Sequence, residues 1–106
     1  MEKEVKTRHY KTSSKERKRI AEEVIGKGEV IDTFFWDKGH PDGPEDHVIT
    51  STGLIYIYNH NTKRLITVLI ARPAQISRYY LREGKMPPQD VMEIAREHQE
   101  KGYNMM

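Results

Sequence analysis

The sequence predicts an α+β domain in which an N-terminal helix is followed by an antiparallel four-stranded β-meander and one or two C-terminal helices. Residues 30–71 contain short β-branched and aromatic runs separated by turns, whereas the segments on either side place apolar residues at helical spacing. A chain of 106 residues has room for one core. We therefore expect an N-terminal arm over residues 1–12 and a single domain over residues 13–106.

The helices are predicted from apolar stripes and from start and stop signals. The pair Ser13-Ser14 offers an N-cap for a helix over residues 15–25, which a glycine follows. A second helix is predicted over residues 73–82, with a proline at its first position. A third is predicted to begin near Pro88 and to carry a narrow apolar stripe.

Four runs have the composition of strands, and the turns between the last three are of hairpin length. The runs cover residues 30–36, 47–51, 54–58 and 64–71. In the last run, period-two counting puts Leu65 and Thr67 on one side and Ile66 and Val68 on the other. Thr67 interrupts an otherwise apolar strand, so we expect a site to open there.

The charges are segregated along the chain. Residues 1–19 carry eight Lys/Arg against three Glu, and residues 63–85 carry six against one. Residues 20–62 are acidic, with eight Asp/Glu against two Lys. Such a distribution predicts one basic surface that binds a polyanion.

Several functional classes are excluded or disfavoured. The sequence has no cysteine, which excludes disulfides and thiolate metal sites and favours a cytoplasmic location. No apolar stretch is long enough to span a bilayer, so we expect no membrane partner. His40 and His47 stand seven residues apart with no second spaced pair, so we expect no metal and no cofactor.

Cleavage of RNA by internal transesterification needs only a base, an acid and groups that stabilise the phosphorane charge. The candidate catalytic residues are His40, His47, Thr67 and Arg72. The candidate RNA-binding residues are Lys38, Tyr56, Tyr58, Lys63, Arg64, Arg78 and Tyr79. Each also has an ordinary structural use; Tyr56 and Tyr58 could stack on bases or could lie under a helix.

Residues 36–80 also carry a resemblance. The runs Lys38 to Thr50, Gly53 to Asn59 and Leu65 to Pro73 are similar to phage-type members of a nuclease superfamily. That superfamily unites barnase, the EndoU enzymes, the tRNA-cutting colicins and RelE-type toxins. The resemblance implies a helix followed by a four-stranded sheet, and metal-independent cleavage of RNA. It also implies the site residues His47, Thr67 and Arg72, with Lys38 and His40 in the adjoining loop.

Three hypotheses follow from these observations. The leading one is a metal-independent endoribonuclease of toxin or phage type, which acts on tRNA or mRNA and has an antitoxin or immunity protein as a partner. The second is a non-catalytic nucleic-acid-binding or phage regulatory protein that uses the same basic face. The third is a small inhibitor whose acidic loop over residues 37–46 mimics the charge of a nucleic acid.

Overall fold

The computed structural model describes residues 15–105 and confirms the predicted fold class. Residues 15–25 form helix α1, whose second half, Ile20–Ile25, is a π-helix. The strands are β1 (Val30–Trp36), β2 (Glu45–Thr50), β3 (Leu54–Asn59) and β4 (Leu65–Ile70). Helices α2 (Pro73–Arg82) and α3 (Gln89–Glu100) follow, and then a 3-10 turn, Tyr103–Met105. The predicted arm and the N-cap at Ser13-Ser14 lie outside the described residues.

The strands form one sheet in the order β1-β2-β3-β4, and each neighbouring pair is antiparallel. At one end of the sheet, Trp36, Glu45 and Asn59 lie side by side in register. We call this end, where β1 and β3 finish, the open end. Side chains opposite one another in a ladder share a face, so these three point to the same side.

The register of β4 contains a bulge. Thr67 lies opposite Ile57, but Leu65 lies opposite Tyr58, so Ile66 is an extra residue in the ladder. The bulge puts Leu65 on the same face as Tyr58. Period-two counting groups Leu65 with Thr67, and this is wrong because one residue has been inserted between two paired positions.

Helices α2 and α3 pack on one face of the sheet, here called the α2/α3 face. Ile49 and Ile55 from the strands and Ile76 from α2 are fully buried in this core. Each such side chain stabilises the fold by roughly 1.5–3 kcal/mol through removal of apolar surface from water. Tyr80 adds a polar anchor, because its hydroxyl donates to Asp32 Oδ2 at 2.5 Å.

Helix α1 covers the other face, the α1 face, with a smaller core. Ile20 and Ala21 pack there against side chains of β3 and β4, including the fully buried Leu54. Arg17 Nε donates to the Val68 carbonyl at 2.8 Å, which ties α1 to the edge strand β4. The helix closes with Gly26 N donating to the Ala21 carbonyl five residues back, at a φ of +89° that suits glycine.

The helices cover the open end only in part on each face. Phe35, Leu65 and Ile66 are 53%, 38% and 51% exposed there, although each belongs to a strand. The open end is therefore the part of the sheet that is accessible to a ligand from either side.

Among residues 15–105, no helix combines the length and apolarity needed to cross a membrane.

Candidate active site

A cavity of about 590 Å³ lies at the open end on the α2/α3 face. The row Trp36, Glu45 and Asn59 forms its floor, and the β1–β2 and β3–β4 loops form its walls. Its remaining lining residues are Lys38, His40, Asp42, Gly43, Thr62, Arg64 and Ile66. The cavity therefore collects acidic, basic and imidazole groups that are distant in the sequence.

Asn59 holds the two loops in place. Its Nδ2 donates to the Asp42 carbonyl at 2.8 Å, which fixes the β1–β2 loop. Its Oδ1 accepts from the backbone N–H groups of Asn61 and Thr62, both at 2.9 Å, which fixes the β3–β4 loop. One strand-end amide thus sets the distance between the two walls of the cavity.

His40 is held in a tight turn of the β1–β2 loop. Gly43 N donates to the His40 carbonyl at 2.9 Å, and Asp42 N donates to His40 Nδ1 at 3.1 Å. The second bond places the proton of the neutral ring on Nε2. The side chain is 62% exposed, so the Nε2–H group is open to a ligand to which it can donate. When His40 is protonated, Asp42 Oδ2 at 3.5 Å forms an ion pair with it.

Glu45 is oriented by a buried relay of side chains. Its Oε1 lies 2.8 Å from His47 Nε2, and His47 Nδ1 lies 2.5 Å from the Tyr79 hydroxyl on α2. Burial raises the pKa of Tyr79 to about 12, so its phenol keeps its proton at neutral pH. The Glu45 carboxylate can only accept, so Nε2–H donates to it, and in the neutral ring Nδ1 then accepts from the Tyr79 hydroxyl.

Aromatic contacts fix the imidazole in the relay. Trp36 stacks on the His47 ring, with centroids 5.4 Å apart and planes 20° apart. The Tyr79 ring meets the His47 ring at 61°. On its outer side, Trp36 is covered by the Arg82 guanidinium, 4.1 Å from the ring centroid. His47 is 4% exposed, whereas the Glu45 side chain is 28% exposed, so only the carboxylate reaches the cavity.

Lys38 and Arg64 supply positive charge to the cavity wall. Within the described part of the chain, neither side chain forms a salt bridge. Both are exposed. Cations without a carboxylate partner, beside an acid–base pair, can bind a phosphate and stabilise the negative charge that develops on it.

The structure brings together some of the predicted catalytic residues and separates others. His40 lines the cavity, and His47 supports it from below. Thr67 lies two strands from His47 in the row His47, Ile57, Thr67, about 10 Å away by strand spacing, and it accepts from Arg17 Nη2 at 3.4 Å. Arg72 lies at the other end of β4, where its guanidinium donates to the Asn104 carbonyl.

The predicted RNA-binding residues also divide into groups. Lys38 and Arg64 line the cavity, as described above, and Lys63 lies on the loop beside it. Tyr79 is part of the buried relay. Tyr56 is 2% exposed under α1, and Tyr58 is partly buried beside it, so the helix-covered alternative holds for Tyr56. Arg78 is exposed on α2.

Glu45 is the residue that sequence reasoning missed. The sequence predicts that this strand begins at His47 and that Glu45 belongs to an acidic loop, whereas β2 begins at Glu45. The signal was available, because Glu45 and His47 are two residues apart and would share a face if the strand included both. The support from Tyr79 joins residues 32 positions apart, and no local pattern marks it.

Comparisons with protein-family models, with curated proteins and with solved structures found no match for this chain. Among residues 15–105, no group of three or more His, Asp or Glu side chains is arranged to hold a metal ion. A functional assignment therefore depends on the geometry of the cavity.

Proposed function

We propose that this chain is a metal-independent endoribonuclease that cleaves cytoplasmic RNA by internal transesterification at the open-end cavity. The observation that carries the proposal is that Glu45 and His40 line one cavity together with Lys38 and Arg64. The reaction needs a base, an acid and cations, and these four side chains supply them. The resemblance of residues 36–80 to phage-type nucleases supports the same class.

Glu45 is the general base in this proposal. Its carboxylate takes the proton from the ribose 2′-OH, and the 2′-oxygen attacks the adjacent phosphorus. His47 Nε2–H holds one carboxylate oxygen at 2.8 Å, which leaves the other oxygen for the substrate. His47 is therefore a positioning residue, and Tyr79 fixes its tautomer.

His40 is the general acid. Its imidazolium gives a proton to the 5′-oxygen as the bond between phosphorus and that oxygen breaks. Lys38 and Arg64 stabilise the charge on the phosphorane that forms in between. The products are a 2′,3′-cyclic phosphate and a 5′-hydroxyl, and no water is consumed in this step.

The test is an assay of the purified protein on single-stranded RNA and on tRNA in the presence of EDTA. We expect cleavage with 2′,3′-cyclic phosphate ends, identified by mass spectrometry. Glu45→Gln and His40→Gln should each lower kcat by about a hundredfold or more. Glu93→Gln, an exposed carboxylate on α3, is the matched control and should leave the rate unchanged.

Two results would contradict the proposal. One is an intact RNA after prolonged incubation with the wild-type protein; salt-dependent binding without cleavage would then assign the chain to non-catalytic nucleic-acid binding. The other is cleavage that persists at the wild-type rate in both Glu45→Gln and His40→Gln.

A further inference from the structure

A second cluster lies at the open end on the α1 face, directly behind the cavity. Phe35 is 53% exposed, and its ring meets the His60 ring edge to face, with centroids 4.9 Å apart and planes at 89°. Phe35 and Trp36 are consecutive residues of β1, so one points to each face. The proposed mechanism uses Trp36 and leaves this cluster unexplained.

The His60 ring is held rigidly. Its Nδ1 lies 2.9 Å and 3.0 Å from the two oxygens of Asp46, and its backbone N–H donates to the Pro44 carbonyl at 2.9 Å. Lys63 Nζ lies 3.8 Å from Asp46 Oδ2, so the carboxylate has two partners. The side chains of His60 and Lys63 remain 40% and 69% exposed. The result is a fixed aromatic surface with a cation at its border.

We propose that Phe35 and His60 form a subsite for one unpaired nucleobase of single-stranded RNA, and that Lys63 binds the neighbouring phosphate. This inference rests on the proposed function, because it names the substrate of the same site as a single strand. Exposed aromatic rings bind bases by stacking, and the stacking tolerates any sequence. A base within a duplex already has both faces stacked, so only an unpaired base can use the Phe35 ring.

The path between the two sites is short. Because β1 is an edge strand, an RNA chain that leaves the cavity at Trp36 has only the edge of the sheet to cross before it reaches Phe35. Leu65 lies in the same row across the α1 face, three strands from Phe35 on the opposite edge strand, and it borders a groove that Lys15 and Lys18 also line. These ammonium groups complement a phosphate backbone, which favours a nucleic acid over an apolar protein surface as the occupant.

The inference is tested by binding, separately from cleavage. The probe is a single-stranded, 2′-fluoro-substituted RNA of about ten nucleotides, which lacks the attacking hydroxyl. Its binding is measured by fluorescence anisotropy. We expect Phe35→Ala and Phe35→Leu to weaken binding about tenfold and Phe35→Trp to preserve it. Leu81→Ala, which removes a 60% exposed side chain from α2, is the control and should bind as the wild type does.

A second measurement locates the contact. We expect a dinucleotide to bind in the cavity alone, so Phe35→Ala should leave its kcat/KM unchanged while lowering kcat/KM for the longer strand. Wild-type affinity in Phe35→Ala would overturn the subsite, and so would equal affinity of the wild type for the duplex form of the probe. If the wild-type protein does not cleave RNA but binds the probe in a way that depends on Phe35, the proposed function is overturned and the subsite stands.

Discussion

His47 Nδ1 and the Tyr79 hydroxyl oxygen lie 2.5 Å apart, although they are 32 residues apart in the chain. The contact joins the sheet to α2, and through His47 Nε2 it reaches the Glu45 carboxylate. A helix that packs on the sheet therefore also fixes the orientation of the proposed general base. The contact therefore joins the stability of the fold to the proposed catalysis.

The first prediction concerns Tyr79→Phe. The variant removes the donor to His47 Nδ1, which leaves a buried acceptor unpaired and allows the ring proton to move between the two nitrogens. We expect kcat to fall about tenfold with KM unchanged, and the free energy of unfolding to fall by about 1–3 kcal/mol. Steady-state kinetics and urea unfolding measure the two effects. Tyr103→Phe is the control, and a loss confined to KM would contradict the positioning role.

The second prediction is an alkaline limit to stability. In the unfolded chain the Tyr79 phenol ionises near its ordinary pKa of about 10, whereas burial raises the folded pKa to about 12. The unfolded state therefore binds fewer protons between these values, and the free energy of unfolding should decrease as pH rises from about 10 to about 12. Urea unfolding at several pH values measures this slope. A slope in Tyr79→Phe as steep as that of the wild type would be inconsistent with the argument.

The third prediction concerns the turn between β2 and β3. A Cβ added at Gly53 would lie 3.2 Å from the His98 ring and 3.3 Å from Ile94 Cγ2, at a backbone φ of +79°. We expect Gly53→Ala to lower the free energy of unfolding by about 2–3 kcal/mol, since strain and crowding both contribute. Gly84, with φ of +70° and open space around it, isolates the strain. Gly84→Ala should lower the free energy of unfolding by only about 1–2 kcal/mol. Thermal unfolding measures both variants, and equal losses in Gly53→Ala and Gly84→Ala would rule out the crowding at His98.

The fourth prediction concerns the salt dependence of RNA binding. If Lys38 and Arg64 each neutralise one phosphate, replacing either with Gln should reduce the slope of log affinity against log salt by about 0.7 for a single strand. Arg96→Gln, an exposed cation on α3, is the matched control and should keep the wild-type slope. Anisotropy titrations at several salt concentrations give the slopes. An unchanged slope in both cavity variants would place the phosphate elsewhere.

The element order could be predicted from the sequence because its signals are local. Turn residues around Gly53 and the alternation in 54–58 identify strands without any tertiary information. The π-helical form of Ile20–Ile25 could not be predicted from the sequence, because its i to i+5 hydrogen bonds depend on how α1 packs on the sheet. The bulge at Ile66 was missed for a similar reason: register belongs to a pair of strands and is not written in either one.

The cavity was only partly predictable. His40, Lys38 and Arg64 are chemically conspicuous, and all three line it. Glu45 was hidden by a strand boundary that was placed two residues late, and the role of Tyr79 depends on a contact between β2 and α2. Sequence identifies the chemistry that a chain can offer, whereas the fold decides which of those groups meet.

Ile66 lines the cavity, and it is also the residue that the β3–β4 ladder leaves unpaired. Without Ile66, the residues that pair with Ile57 and Tyr58 would be consecutive in β4 and could form an unbroken ladder. A residue inserted beside Ile66 would only widen the bulge. The volume of the cavity can thus vary by the gain or loss of one residue while the sheet keeps its pairing. For the proposed nuclease, substrate preference could therefore evolve through changes in the length of β4, separately from the stability of the fold.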